Sequence, residues 1–216
     1  MQGGEDARSE AYPQWYVAAT SDEGNAADPP LSTDQDMEFP IDATLKDGTS
    51  IQLILADHRD SEPLRRLFQT IIEEGDSYPH DRLPGKDDLM AYWFTGTSAI
   101  VAYQQGSQRG ADLLGAFYFK PNWPGRARHV ANAGFMVAPQ WRNKGLGWLL
   151  GAVMLQYATE LGYRSVIFNL VFAENQVARR LWRKLGFSEL AVLPGAVLKN
   201  DRTYQDAIIM WKSLLP

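Results

Sequence analysis

A chain of 216 residues, 45% of them hydrophobic and 12% aromatic, has enough apolar surface for one folded domain with a sizeable core. It contains no cysteine, which excludes disulfides, thiolate metal sites and a cysteine nucleophile. The net charge of −5 is set by residues 1–40, which carry nine acidic residues and one basic, whereas residues 41–216 sum to +3 and offer no basic stripe of the kind that binds nucleic acid.

Residues 1–40 are dominated by Gly, Ser, Asp, Ala and Pro, and Asp28-Pro29-Pro30 interrupts any helix. Two readings stand: a flexible acidic tail, or a segment whose Trp15-Tyr16-Val17 and Met37-Glu38-Phe39 dock on the body or on a second subunit. The folded domain is expected over residues 41–216. No apolar run is long enough to span a membrane, and the first residues lack the basic-then-apolar pattern of a secretory signal, so a cytoplasmic location is expected.

The first strand is predicted at residues 51–55, after the Asp47-Gly48 turn. Asp60-Ser61-Glu62-Pro63 has the capping residues and first-turn proline that open a helix, and Leu64, Leu67, Phe68, Ile71 and Ile72 recur at helical spacing to about Glu74. A breaker-rich loop, 75–85, holds Asp76 and Tyr78, read either as plain loop or as a substrate entrance. A short helix follows at 86–94, and its Tyr92-Trp93-Phe94 is either core or the roof of a site. Three strands come next, near 98–103, 112–120 and 129–137. A long helix over 148–161 leads to the apolar run 165–172, which suits a central strand buried on both faces. A helix at 175–185, capped by Asn175 and stopped by Gly186, and strands near 187–193 and 204–210 complete the order. This is an α/β chain with a mixed, mostly antiparallel sheet of six or seven strands flanked by four helices. His58, His80 and His129 are scattered without ligand spacing, so no metal site is expected.

The most informative stretch joins the strand ending at Val137 to the long helix through Arg142-Asn143-Lys144-Gly145-Leu146-Gly147. Glycines here let consecutive N–H groups converge in front of the positive end of a helix dipole, an arrangement that holds phosphate oxygens. The other phosphate motifs fail: Gly147 is followed by Trp148 rather than Lys-Ser/Thr, and a three-glycine dinucleotide fingerprint is absent. The bare alternative is a glycine-softened turn with no ligand.

Strand, Arg-x-x-Gly-x-Gly and apolar helix together resemble the pyrophosphate loop of the GNAT N-acetyltransferases. Asn175-Gln176-Val177-Ala178 opening a helix that closes on Gly186-Phe187, and Tyr204-x-Asp206-Ala207-Ile208-Ile209-Met210, are similar to later segments of that family. The resemblance covers about residues 45–213. A nearer likeness, carried by Tyr92-Trp93-Phe94, Leu114 to Asn122, Asn132-Ala133-Gly134-Phe135 and Ile167 to Phe172, is to the fungal branch that acetylates the ring nitrogen of L-azetidine-2-carboxylate and related proline analogues. It does not extend to the acidic tail.

The resemblance implies a fold with splayed central parallel strands, acetyl-CoA as cosubstrate, direct transfer in a ternary complex, and a homodimer. Its acetyl-CoA site would comprise Phe135, Met136, Val137, Arg142, Asn143, Lys144, Gly145, Leu146, Gly147 and Asn175, with backbone N–H groups dominating over the charges of Arg142 and Lys144. Tyr78, Phe135 and Trp182 would line the acceptor site, and Asn132 and Asn169 would be the catalytic pair. One asparagine would accept the hydrogen of the ring nitrogen and the other would help bind the carboxylate. Each asparagine also has a plain reading, as an amide bridging strand ends inside an apolar run, and Asn175 has one as a helix cap. The usual tyrosine acid of the family is replaced by Trp182. A primary-amine acceptor (an amino sugar, a polyamine or a protein N-terminus) and a non-catalytic acetyl-CoA-binding module are the alternatives.

Overall fold

The computed structural model describes residues 37–95 and 98–215. The readings of residues 1–36 lie outside them. Eight strands form one sheet in the order β1-β2-β3-β4-β5-β6-β8-β7. They are β1 (Ile41–Thr44), β2 (Ser50–Leu55), β3 (Ser98–Gln104), β4 (Gly115–Pro121), β5 (Val130–Val137), β6 (Ser165–Phe172), β7 (Ser188–Leu198) and β8 (Tyr204–Ser213). The helices are α1 (Ser61–Glu74), α2 (Lys86–Phe94), α3 (Leu146–Glu160) and α4 (Gln176–Lys184). Among the described residues, no helix is long and apolar enough to cross a membrane.

The four helices and seven of the strands fall where periodicity and turn residues place them. The eighth, β1, has only four residues and no apolar pattern of its own; it exists because it pairs antiparallel with β2, from Ile41 opposite Leu53 to Thr44 opposite Ser50. Alternation along the strands divides the core in two. Phe117, Phe119 and Phe168 pack with Leu146, Leu150 and Met154 of α3 on one face. Ala116, Tyr118 and Met136 pack with Leu64, Phe68 and Trp93 of α1 and α2 on the other.

Every neighbouring pair of strands is antiparallel except β5 and β6. Those two pair only at Val130 with Ser165 and at Ala131 with Val166, and then diverge. The ladder between β6 and β8 also shifts register between Phe168 and Val171. A bulge of this kind turns a side chain away from the face that strict alternation assigns it, and Asn169 lies within it.

Candidate active site

The turn between β5 and α3 is built by two residues of positive φ, Asn143 at 61° and Gly145 at 92°. Asparagine tolerates the left-handed region better than most residues, and glycine enters it without steric cost. Leu149 is the first residue of α3 whose N–H returns to a carbonyl of this turn, that of Gly145, at 3.1 Å. The N–H groups of Leu146, Gly147 and Trp148 precede that first helical bond and stay available at the helix N-terminus. Gly147 and Trp148 border an open groove of about 540 Å³ whose other walls include Lys46, Lys144 and Lys184.

The two cations of the motif do not simply face this groove. Arg142 donates to a carboxylate oxygen of Glu74 at 2.5 Å and to the carbonyl of Val137 at 3.2 Å, so it braces α1 against the end of β5. Lys144 pairs with Asp47 at 3.0 Å and lies 4.3 Å from the centre of the Trp141 ring. Its hydrogen bond holds the Asp47 carboxyl down at about 2. The Lys46 N–H donates to the Lys144 carbonyl at 3.1 Å, tying the β1–β2 hairpin to the turn. Charge from Arg142 and Lys144 is thus partly committed within the protein.

Beyond Ala131, no strand among the described residues pairs with β5 on its β6 side. The N–H of Ala138 bonds to Leu114 and the carbonyl of Val130 to Asn122, so even-numbered residues of β5 point their backbone groups at β4. Antiparallel alternation then turns those of Ala133, Phe135 and Val137 into the gap. An extended chain entering the gap meets these groups as it would meet an open sheet edge.

The gap opens into a cavity of about 220 Å³ that passes through the sheet. Phe135, Phe168 and Trp182 form its floor, with Trp182 centred 4.8 Å from Phe135 and 4.7 Å from Phe168. Gly151 permits this close seating of α4, because a Cβ there would lie 3.2 Å from the Trp182 ring and 2.5 Å from Leu185. On the opposite side stand Tyr78, Tyr92 and Tyr118, the last two sharing a short hydroxyl–hydroxyl hydrogen bond. Gly134 lies against them, since a Cβ at that position would come within 2.6 Å of the Tyr78 hydroxyl and 2.5 Å of the Tyr118 ring.

Asn132 and Asn169 both line this cavity, on β5 and β6 respectively. The expectation that both are buried amides inside apolar strands needs correction. Asn132 is half-buried, and Asn169 is exposed because the β6 bulge releases it from the buried pattern. The Asn169 amide donates to Asn122 at 2.6 Å, across 47 residues of sequence. β6 is accordingly not buried on both faces throughout. The Asn175 carbonyl oxygen accepts from the Ala178 N–H at 3.0 Å and its amide donates to the Asp76 carbonyl at 3.3 Å. Its side chain is therefore a helix cap that also holds the loop bearing Tyr78, while the residue still lines the cavity. Met136 is buried among α1 and α2 residues, so any contact it makes in the gap is not through its side chain.

Three further residues belong here that pattern reading did not single out: Tyr118, Asn122 and Lys120. Lys120 offered a signal, a cation closing an otherwise apolar strand. It is the only buried lysine or arginine among the described residues, and burial lowers its pKa from 10.5 to about 8.

A phosphate-type turn at a helix N-terminus, a splayed parallel pair and a small cavity at the splay define an acyl-transfer fold, and sequence comparison agrees. The profile of the acetyltransferase (GNAT) family matches residues 65–187. N-acetyltransferase aca1 of Schizosaccharomyces pombe is 36% identical over 151 residues, covering 64% of this chain and 72% of that protein. The structure of a GCN5-related N-acetyltransferase from Kribbella flavida superposes with a TM-score of 0.69 at 29% identity, covering 76% of this chain and 97% of that one. A phosphinothricin acetyltransferase from Sinorhizobium meliloti in complex with acetyl-CoA shares the fold, with a TM-score of 0.67 at 20% identity over 76% and 88% of the two chains. The chain belongs to the acetyltransferase (GNAT) family. It is an acetyl-CoA-dependent N-acetyltransferase.

Proposed function

We propose that the chain acetylates the ring nitrogen of a small cyclic secondary amino acid, L-azetidine-2-carboxylate or a related proline analogue, as a detoxifying step, by direct transfer in a ternary complex. The observation that carries this reading is the cavity at the splay. Its volume of about 220 Å³ is below the range of about 300–1,000 Å³ usual for drug-sized ligands, and it combines aromatic walls with the amides of Asn132 and Asn169. A compact ring with few polar atoms suits it better than a polyamine or a peptide terminus.

In this reading acetyl-CoA supplies the acetyl group as a thioester. The N–H groups of Leu146, Gly147 and Trp148 receive the pyrophosphate, and the exposed backbone of Ala133, Phe135 and Val137 pairs with the pantetheine arm. An N–H on this edge of β5 stabilises the negative charge that develops on the acetyl oxygen. Asn132 accepts the hydrogen of the ring nitrogen and holds its lone pair toward the acetyl carbon, while Asn169, oriented by Asn122, helps bind the carboxylate. The C–N bond forms, the C–S bond breaks, and the amine proton passes to water, because an amide is too weak a base at neutral pH. Trp182 packs against the acyl end, and CoA leaves as the thiolate.

The same reading places residues 41–216 as the catalytic domain, in the cytoplasm, with residues 1–40 as an acidic appendage. It also favours a homodimer formed through edge strand β7, supported by the exposed Leu190, Val192 and Leu198, and light scattering on the full chain tests that state. The test of function is CoA release with L-azetidine-2-carboxylate, cis-4-hydroxyproline, proline, spermidine and glucosamine. Saturable release with the cyclic amino acids alone is expected, and release only with primary amines refutes the acceptor. Asn132→Ala and Asn169→Ala should each lower turnover by about 10²-fold or more while CoA affinity holds; full turnover in both variants removes the roles given to them.

A further inference from the structure

The groove at the phosphate turn is walled by three separate elements. The Lys46 N–H bonds to the Lys144 carbonyl at 3.1 Å, and a Cβ at Gly145 would lie 3.3 Å from the Lys46 Cγ, so the stem of Lys46 crosses the turn from the β1–β2 hairpin. From the other side, a Cβ at Gly147 would lie 3.4 Å from a methyl of Leu181, which seats α4 against the start of α3. Val177, Leu181 and Lys184 recur at helical spacing along α4, and all three line the groove.

The charge on these walls has one sign. Lys46, Lys144 and Lys184 line the groove, and none of the described residues lining it is Asp or Glu. Lys144 is paired with Asp47, whereas Lys46 and Lys184 are exposed and form no ion pair among the described residues. The other cations of that stretch of α4 are differently placed, since Arg179 and Arg183 both turn to Glu189. Trp148 lines the same groove and is 48% exposed, so an indole face stands beside two uncommitted ammonium groups. A flat apolar surface takes a nucleobase, and ammonium groups take a phosphate. The groove volume of about 540 Å³ lies within the range of about 300–1,000 Å³ usual for ligand sites, as the acceptor cavity does not.

We propose that Lys46 and Lys184 are specificity-determining residues for the cosubstrate: together they hold the 3′-phosphate on the ribose of CoA, while the Trp148 ring stacks on its adenine. The chain thereby selects CoA over nucleotides that carry the same pyrophosphate without the 3′-phosphate. This rests on the placement of the pyrophosphate at the turn in the reading above and is independent of the acceptor. The lysines bind and orient, and take no part in bond making.

The experiment is calorimetric titration of the full chain with CoA and with 3′-dephospho-CoA, which differ only in that phosphate. The unaltered protein should bind CoA about tenfold or more tightly than the dephospho form. Lys46→Met and Lys184→Met should each lower that ratio about threefold, as exposed charge pairs do, and the double variant should bring it to within about twofold of unity with affinity for dephospho-CoA retained. Lys46→Arg and Lys184→Arg should keep most of it. Trp148→Ala should weaken both nucleotides alike, by about tenfold, and leave the ratio intact. Thermal melts confirm that the variants, all at exposed positions, are folded. Equal affinity of the unaltered protein for the two nucleotides, or a double variant that keeps the ratio, overturns the role of the lysines. A double variant that weakens both nucleotides equally also overturns it, because the charge then acts on the pyrophosphate. Full affinity in Trp148→Ala overturns the stacking. None of these outcomes touches the turn itself, which Gly145→Ala reports separately by weakening both nucleotides to the same extent. Binding of neither nucleotide by the unaltered protein overturns the turn and the lysines together.

Discussion

Gly145→Ala separates the conformation of the phosphate turn from its chemistry. Gly145 holds φ at 92° and ψ at −6°, where an L residue is strained by about 1–2 kcal/mol. The added methyl would meet only the flexible Lys46 side chain, whose Cγ is 3.3 Å away, so backbone strain and not collision is the main perturbation. If the free turn relaxes, it turns its N–H groups out of the groove, and binding must restore them at that same cost of 1–2 kcal/mol. The dissociation constant for CoA should then rise about 5- to 30-fold. Gly162→Ala is the control: φ there is 82°, nothing lies within 4 Å of the new methyl, and it follows the far end of α3. It pays similar strain, expected as a fall of about 2–8 °C in Tm, with CoA affinity intact. Calorimetric titration with CoA, beside thermal melts of both variants, measures the split. An affinity loss for Gly145→Ala no greater than that for Gly162→Ala refutes the claim that this turn's conformation is what binds.

The desolvation of Lys120 predicts a pH dependence of stability. Because its pKa is lower in the folded chain (about 8) than unfolded (10.5), the unfolded state binds more protons between these values, and stability from this group rises with pH across that window. The stability gap between the unaltered protein and Lys120→Met, measured by urea unfolding, should shift by about 2 kcal/mol between pH 6.5 and 9.5 in favour of the unaltered protein; parallel profiles contradict it. Asp60→Asn tests a network away from the cavity. The fully buried carboxylate accepts from the Tyr103 hydroxyl at 2.7 Å, from Arg109 at 2.6 and 3.0 Å and from the Asp57 N–H at 2.8 Å. Loss of that charge should cost about 2–4 kcal/mol, below the full value for a buried pair because Asp57 still faces Arg109 at 3.2 Å. A shift of under 0.5 kcal/mol in denaturant unfolding would show that Asp57 alone suffices.

The sequence by itself determined the four helices and seven of the strands, since apolar spacing, caps such as Asn175 and stops such as Gly186 act within a few residues. It also determined the phosphate turn, because glycine at 145 has few conformational substitutes and its place between an apolar strand and an apolar helix is legible locally. Family membership was legible for the same reason: its motifs are short runs in fixed order. What only the tertiary structure decided depends on partners far apart in the chain. β1 exists through β2. Asn169 is exposed through a bulge created by its ladder with β8, so composition alone misread it as a buried amide. Arg142 turns to Glu74, 68 residues earlier, and so commits part of its charge within the protein. Lys120 looked like the end of a strand, and its burial came only when α2 laid Tyr92 over it and β5 set Asn132 beside it. Short-range periodicity carries no record of such contacts, because register, splay and ion pairing are chosen by whichever long-range arrangement buries the two apolar faces of the sheet together.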